Sequence, residues 1–134
     1  MEPIEAEARP NLSGGRLYLQ IANAVVGVHR RYAGRGPSKA RAFSRGNVVV
    51  LVMANGMTRS EQTLVDYGRL DIARGVRREL QQTMRPQLVD AVERVTGCRV
   101  VAFMTDSHVE PDLLAELFIL DRELAAPAAK ATGG

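Results

Sequence analysis

Tryptophan is absent from this 134-residue chain, and aromatic residues together make up only 4% of it. With 46% hydrophobic residues, the core has to be built from Val, Leu, Ile and Met. There is one cysteine, Cys98, which excludes an internal disulfide and any cysteine-rich zinc site and fits a reducing compartment. Long apolar runs are also missing. The longest, Val48 to Ala54, falls far short of the roughly 20 residues that cross a bilayer. No basic stretch followed by an apolar one opens the chain, so neither a secretory signal nor a membrane span is expected, and the expected location is the cytoplasm.

Acidic residues are missing from one long stretch. Residues 8–60 carry Arg9, Arg16, Arg30, Arg31, Arg35, Lys39, Arg41, Arg45 and Arg59 with no acid, a charge of +9. Residues 1–7 carry −3 and residues 61–134 another −3, which leaves a net charge of +3. Such separation implies an anion-facing surface, because clustered charge raises local potential more than net charge does. The alternative is that the basic half lies against the acidic half, within the chain or across a dimer.

The length fits one domain with a core of its own. Residues 1–12 mix acids with two prolines and lack periodicity, and residues 123–134 are rich in Ala, Gly and Pro. A disordered leader, a single domain over 13–122 and a disordered tail are therefore expected.

Within that domain, Ser13 is a candidate N-cap, and Leu17, Ile21, Val25, Val28 and Tyr32 recur at helical spacing. Gly34 stands where a left-handed terminator is wanted, and Pro37 forbids continuation. His29, Arg30 and Arg31 then complement the helix dipole. A hairpin follows, with Lys39, Arg41, Phe43 and Arg45 on one face of its first strand, a turn at Gly46-Asn47, and Val48 to Ala54 as its second strand. Thr58 and Glu61 form a capping box. It opens a long helical region, about Arg59 to Thr96, with a kink or break expected near Arg85 because Pro86 cannot donate its backbone bond. Gly97 ends it. A strand over Cys98–Met104, a polar turn over Thr105–Asp112 and a last strand over Leu113–Asp121 complete the chain.

The expected fold is α+β, in the order α-β-β-α-β-β, with a four-stranded antiparallel sheet. The last two strands are apolar on both faces. A homodimer that buries the second face is therefore expected, the alternative being that the helices divide between the two.

Motifs that carry chemistry are scarce. The "GRGP" loop at Gly34, Arg35, Gly36 and Pro37 lacks the spacing of a phosphate loop and follows a helix instead of opening one. Arg35, Lys39, Arg41 and Arg45 are the candidate residues for binding an anion or a partner. Nucleic acid would want aromatic stacking beside them, and only Phe43 and Tyr32 are near. Asp106, His108, Glu110 and Asp112 alternate without a recognised metal spacing, and a solvated turn explains them. Cys98 reads as a small buried hydrophobe. No catalytic residue, metal or cofactor is expected, and no enzyme.

Together "YAGRGPSKARAF", "NGMTRSEQTL", "VRREL", "VERVTGCRVVAFMTD" and "LAELFILD" make the chain resemble the MpsC-like family, small bacterial domains of unknown function. The resemblance covers about Arg16 to Asp121. The matched positions are Gly34, Gly36, Pro37, Thr58, Glu61, Leu64, Arg78, Gly97 and Asp106. The family is named for a sodium-translocating, membrane-potential-generating system. The resemblance thus implies a soluble accessory partner of an ion- or bicarbonate-linked membrane system.

Overall fold

The computed structural model describes residues 12–124, with side chains from residue 15 onward. The expected leader and tail lie outside the described residues, apart from Leu12, Glu123 and Leu124. Seven elements follow in order: α1 (Leu12–Ala33), β1 (Lys39–Arg45), β2 (Val48–Ala54), α2 (Arg59–Asp66), α3 (Leu70–Thr96), β3 (Val100–His108) and β4 (Leu113–Leu120). The fold is α+β, and its strands form one antiparallel sheet in the order β1-β2-β4-β3.

The buried stripe of α1 steps through Ile21, Val25 and His29 at intervals of four, with Ala22 beside it. Tyr32, expected on that stripe, is 46% exposed, and His29, expected to serve the helix dipole, is buried instead. Ser13 lies inside the described helix instead of preceding it. Gly34 ends α1 with φ +87°, as its position implied. A Cβ built there would meet nothing within 4 Å, so a side chain at this position costs backbone strain alone. Gly34→Val is expected to lower stability by about 1–2 kcal/mol. Thermal unfolding checks this, and an unchanged melting temperature would contradict it.

The second helical region is interrupted, but not where the proline suggested. Gly68, with φ +77°, separates α2 from α3, and α3 then runs unbroken through Pro86 to Thr96. A left-handed residue ends a helix outright, whereas a proline removes one bond that the flanking turns can outlast. Of the kink or break expected near Arg85, a break is ruled out, and the region divides at Gly68 instead. Because Pro86 sits within a continuous helix, Pro86→Ala is expected to be tolerated or to raise the melting temperature by restoring that bond. A clear fall would mean that the proline sets a direction the fold requires.

β3 is longer than expected. Thr105 to His108 continue the ladder against Glu116, Ala115, Leu114 and Leu113, so Asp106 and His108 stand on a strand and not in a turn. Alternation explains this extension. Phe103, Thr105 and Ser107 point to one face, Met104, Asp106 and His108 to the other, and an edge strand can carry polar residues outward.

Helices α1 and α3 pack on one face of the sheet. Their Ile21, Val25, Met84, Leu88 and Val92 join Leu51, Met53, Phe103, Phe118 and Leu120 from the strands in a single aliphatic core. The register lines up the opposite face in rows across the four strands. These rows are Arg41–Val52–Ala115–Asp106, Phe43–Val50–Leu117–Met104 and Arg45–Val48–Ile119–Ala102. None of the described helices covers this face. Phe43 is 39% and Met104 52% exposed, and the valines between them are only half-buried.

Candidate functional site: a buried polar seam beside an arginine-lined cleft

Five polar or charged side chains are buried among the described residues: His29, Glu61, Arg77, Gln81 and Glu116. They gather where α2, α3 and the end of α1 meet the sheet. The capping box positions Glu61: Thr58 accepts from the Glu61 N–H at 3.2 Å, and the Glu61 carboxylate accepts the Thr58 N–H at 2.8 Å. Arg77, two turns into α3, then donates to the same carboxylate from Nε at 2.8 Å and from Nη2 at 3.4 Å. Burial pushes the Glu61 carboxyl up, but the Arg77 hydrogen bond and charge and the bonds from Thr58 outweigh it. The group is held below the ordinary carboxylate value.

On the other side of the seam, His29 Nε2 and Glu116 Oε2 are 2.9 Å apart and buried, which joins α1 to the middle of β4. A small cavity lined by His29, Glu61, Arg77 and Gln81 lies between the two pairs. Gln81 in turn accepts from the Thr105 hydroxyl at 3.3 Å.

Beyond Arg77 and Gln81 the seam opens into a cleft of about 550 Å³ between α3 and β3. Arg74, Arg78 and Gln82 come from the helix, and Thr105, Asp106 and Ser107 from the strand. Arg78 and Asp106 thus both line this cleft, with Glu61 directly behind it.

The residues singled out from the basic stretch divide. Lys39, Arg41 and Arg45 share the uncovered face of β1, and the Arg41 guanidinium lies 5.4 Å from the centre of the Phe43 ring. Arg35 stands apart on the α1–β1 loop and donates to the Met57 carbonyl at 3.3 Å. Gly36 packs that loop on α1, since a Cβ there would come 3.2 Å from Val26 Cγ1, and Pro37 lies against Gly56. Gly97 ends α3 with φ +74°.

The ion pairs Arg77–Glu61, Arg94–Asp90 and Arg122–Asp121 each join two residues of the 61–134 segment, and His29–Glu116 bridges that segment to the basic one. Of the alternating acids, Asp112 accepts the Met57 N–H at 2.9 Å and Asp106 accepts the Ser107 N–H at 2.8 Å. His108 Nδ1 lies 2.9 Å from the Pro111 carbonyl. The Asp112 bond ties the β3–β4 loop to the segment that follows β2, and the other two are local to β3 and its loop.

The sequence model of one family, described as "Na+-translocating membrane potential-generating system (MpsC)", matches residues 13–122. The chain belongs to the MpsC family. No curated protein and no solved structure is significantly similar to it. The match takes in every strand, the whole buried seam and the cleft. Among the described residues no helix is long and apolar enough to cross a membrane.

Sequence reading missed His29, Arg77, Gln81 and Glu116 as a group. One signal was available. In "LLAELFIL" the charged Glu116 shares its strand face with Leu114, Phe118 and Leu120, and a carboxylate on a buried face demands a partner.

Proposed function

We propose that the chain is a non-enzymatic, cytoplasmic accessory module of a Na+-translocating, membrane-potential-generating system, and that it works as a homodimer. The observation that carries this reading is the uncovered apolar face of the sheet. Contiguous exposed apolar patches of this kind mark interaction sites, and a sheet face is self-complementary under a two-fold axis.

Two aligned packings of this face on a second copy are available. A two-fold axis perpendicular to the strands lays β1 on β1 and brings Arg41 of one copy towards Arg45 of the other. An axis parallel to the strands, between β2 and β4, lays β1 on β3. Each row then meets itself reversed: Arg41 over Asp106, Phe43 over Met104, Val50 over Leu117. Charge decides between them, because like charges juxtaposed at an interface cost several kcal/mol, on the order of 2–5. The second packing also brings a thioether onto an aromatic ring. Crossing the sheets at about 30° shifts the edge strands by roughly one residue, within reach of an arginine.

In this dimer the helical layers face outward and carry Tyr67, 80% exposed, with Ile72 and Val76. A tagged chain expressed in its native cell is expected to recover subunits of the membrane system from nuclease-treated extract. Recovery that depends wholly on nucleic acid, with binding that falls steeply as salt rises, would instead assign Lys39, Arg41 and Arg45 to phosphate contacts.

A further inference from the structure

We infer that the cleft between α3 and β3 is a binding site for a small molecule bearing an oxyanion, a phosphate or a carboxylate. The inference is independent of the dimer, and three observations carry it. First, α3 places three arginines within little more than one turn, and Arg74 and Arg78 are four residues apart, where like charges repel. Among the described residues neither has a carboxylate within ion-pair distance, although the same helix pairs Arg94 with Asp90. Second, Arg77 is held by a fork of two bonds to a carboxylate that the capping box itself fixes, so a buried and oriented guanidinium lines the cleft at its base. Third, the rest of the lining is rich in hydrogen-bonding groups: the amides of Gln81 and Gln82 and the hydroxyls of Thr105 and Ser107.

Planar guanidinium groups suit bidentate recognition of either oxyanion. The volume, about 550 Å³, lies in the range of small-molecule sites and exceeds what a lone inorganic anion fills. The side-chain oxygens of Gln82 and Ser107 offer acceptors for a hydroxyl or amine on the same ligand. The ligand class is therefore a phosphorylated or carboxylated metabolite that also carries a donor group.

The test is thermal unfolding and titration calorimetry of the full chain with inorganic phosphate, glycerol 3-phosphate and citrate, each against sodium chloride at matched ionic strength. The wild type is expected to be stabilised by at least one of them beyond chloride, and the arm that succeeds separates phosphate from carboxylate. In Arg74→Gln/Arg78→Gln the affinity for that anion is expected to fall at least tenfold. Arg94→Gln, on the same helix but outside the cleft, is expected to leave it unchanged. In chloride alone the double variant is expected to be as stable as the wild type or more so, because a like-charge pair has been removed. Stabilisation no greater than chloride's for every anion, equal binding by the double variant, or a double variant that is itself destabilised would each overturn the inference.

Discussion

Replacing Glu61 by alanine is expected to remove a large share of the protein's stability. Glu61 and Arg77 are both buried, their side chains 3% and 10% exposed, so deletion of the carboxylate leaves a guanidinium without its counter-charge in a low-dielectric setting. Breaking a buried pair from one side costs about 3–5 kcal/mol, a large share of the roughly 5–15 kcal/mol that holds a domain folded. The same change removes half of the capping box and so frays α2. Thermal or urea unfolding at neutral pH measures this, and a loss below about 1 kcal/mol would show that the pair is not a structural keystone.

Acid titration gives a second reading of the same pair. The Glu61 carboxyl is held below its ordinary value of 4.5 in the folded protein. Its contribution is therefore complete above the unfolded value and is lost as pH falls through the lower folded one. The wild type is expected to lose stability on acidification below 4.5. Glu61→Gln, which has no proton to take up there, is expected to be weaker at neutral pH but flatter across that window.

Replacing Leu117 by aspartate is expected to convert a dimer into a monomer with an intact fold. Leu117 lies at the centre of the uncovered face, between Val50 and Met104 in the register, and makes no part of the core beneath the helices. A carboxylate there would be buried without a partner in the dimer and solvated in the monomer, so the penalty falls on association. Loss of a central anchor typically costs an interface 2 kcal/mol or more, about thirtyfold in the dissociation constant. Circular dichroism confirms the fold and light scattering gives the mass. Unfolding of this variant would place Leu117 in the intramolecular core, and a dimer unchanged in mass and affinity would move the interface elsewhere.

What could be read from the sequence is what neighbouring residues decide. The bounds of β1 and β2, the Gly46-Asn47 turn, the capping box and the glycine ends of α1 and α3 all depend on residues within a few positions of one another. The division of the long helix at Gly68 is not legible because Pro86 is a louder signal, yet of the two the glycine alone adopts the left-handed conformation. The seam stayed hidden for a different reason. His29 and Glu116 are separated by 87 positions, and only the pairing of β2 with β4, across two helices, brings them together. The arginines of α3 were legible as residues but not as a cleft, because the opposite wall is the part of β3 that had been read as a turn. The uncovered face was legible in the alternation of the last two strands. Which side α1 and α3 take required the structure.

In the proposed dimer two copies join through the open faces of their sheets, with β1 of one against β3 of the other. The most direct measurement is the solution mass of four proteins at micromolar concentration by light scattering: the wild type, Arg41→Asp, Asp106→Arg and the double exchange. Such a dimer gives twice the chain mass of 14.6 kDa for the wild type, weakened dimers for each single reversal, and recovery of the dimer in the double exchange, where the charges again face their opposites. A wild type of 14.6 kDa, or a double exchange no better than the sum of its parts, would contradict it.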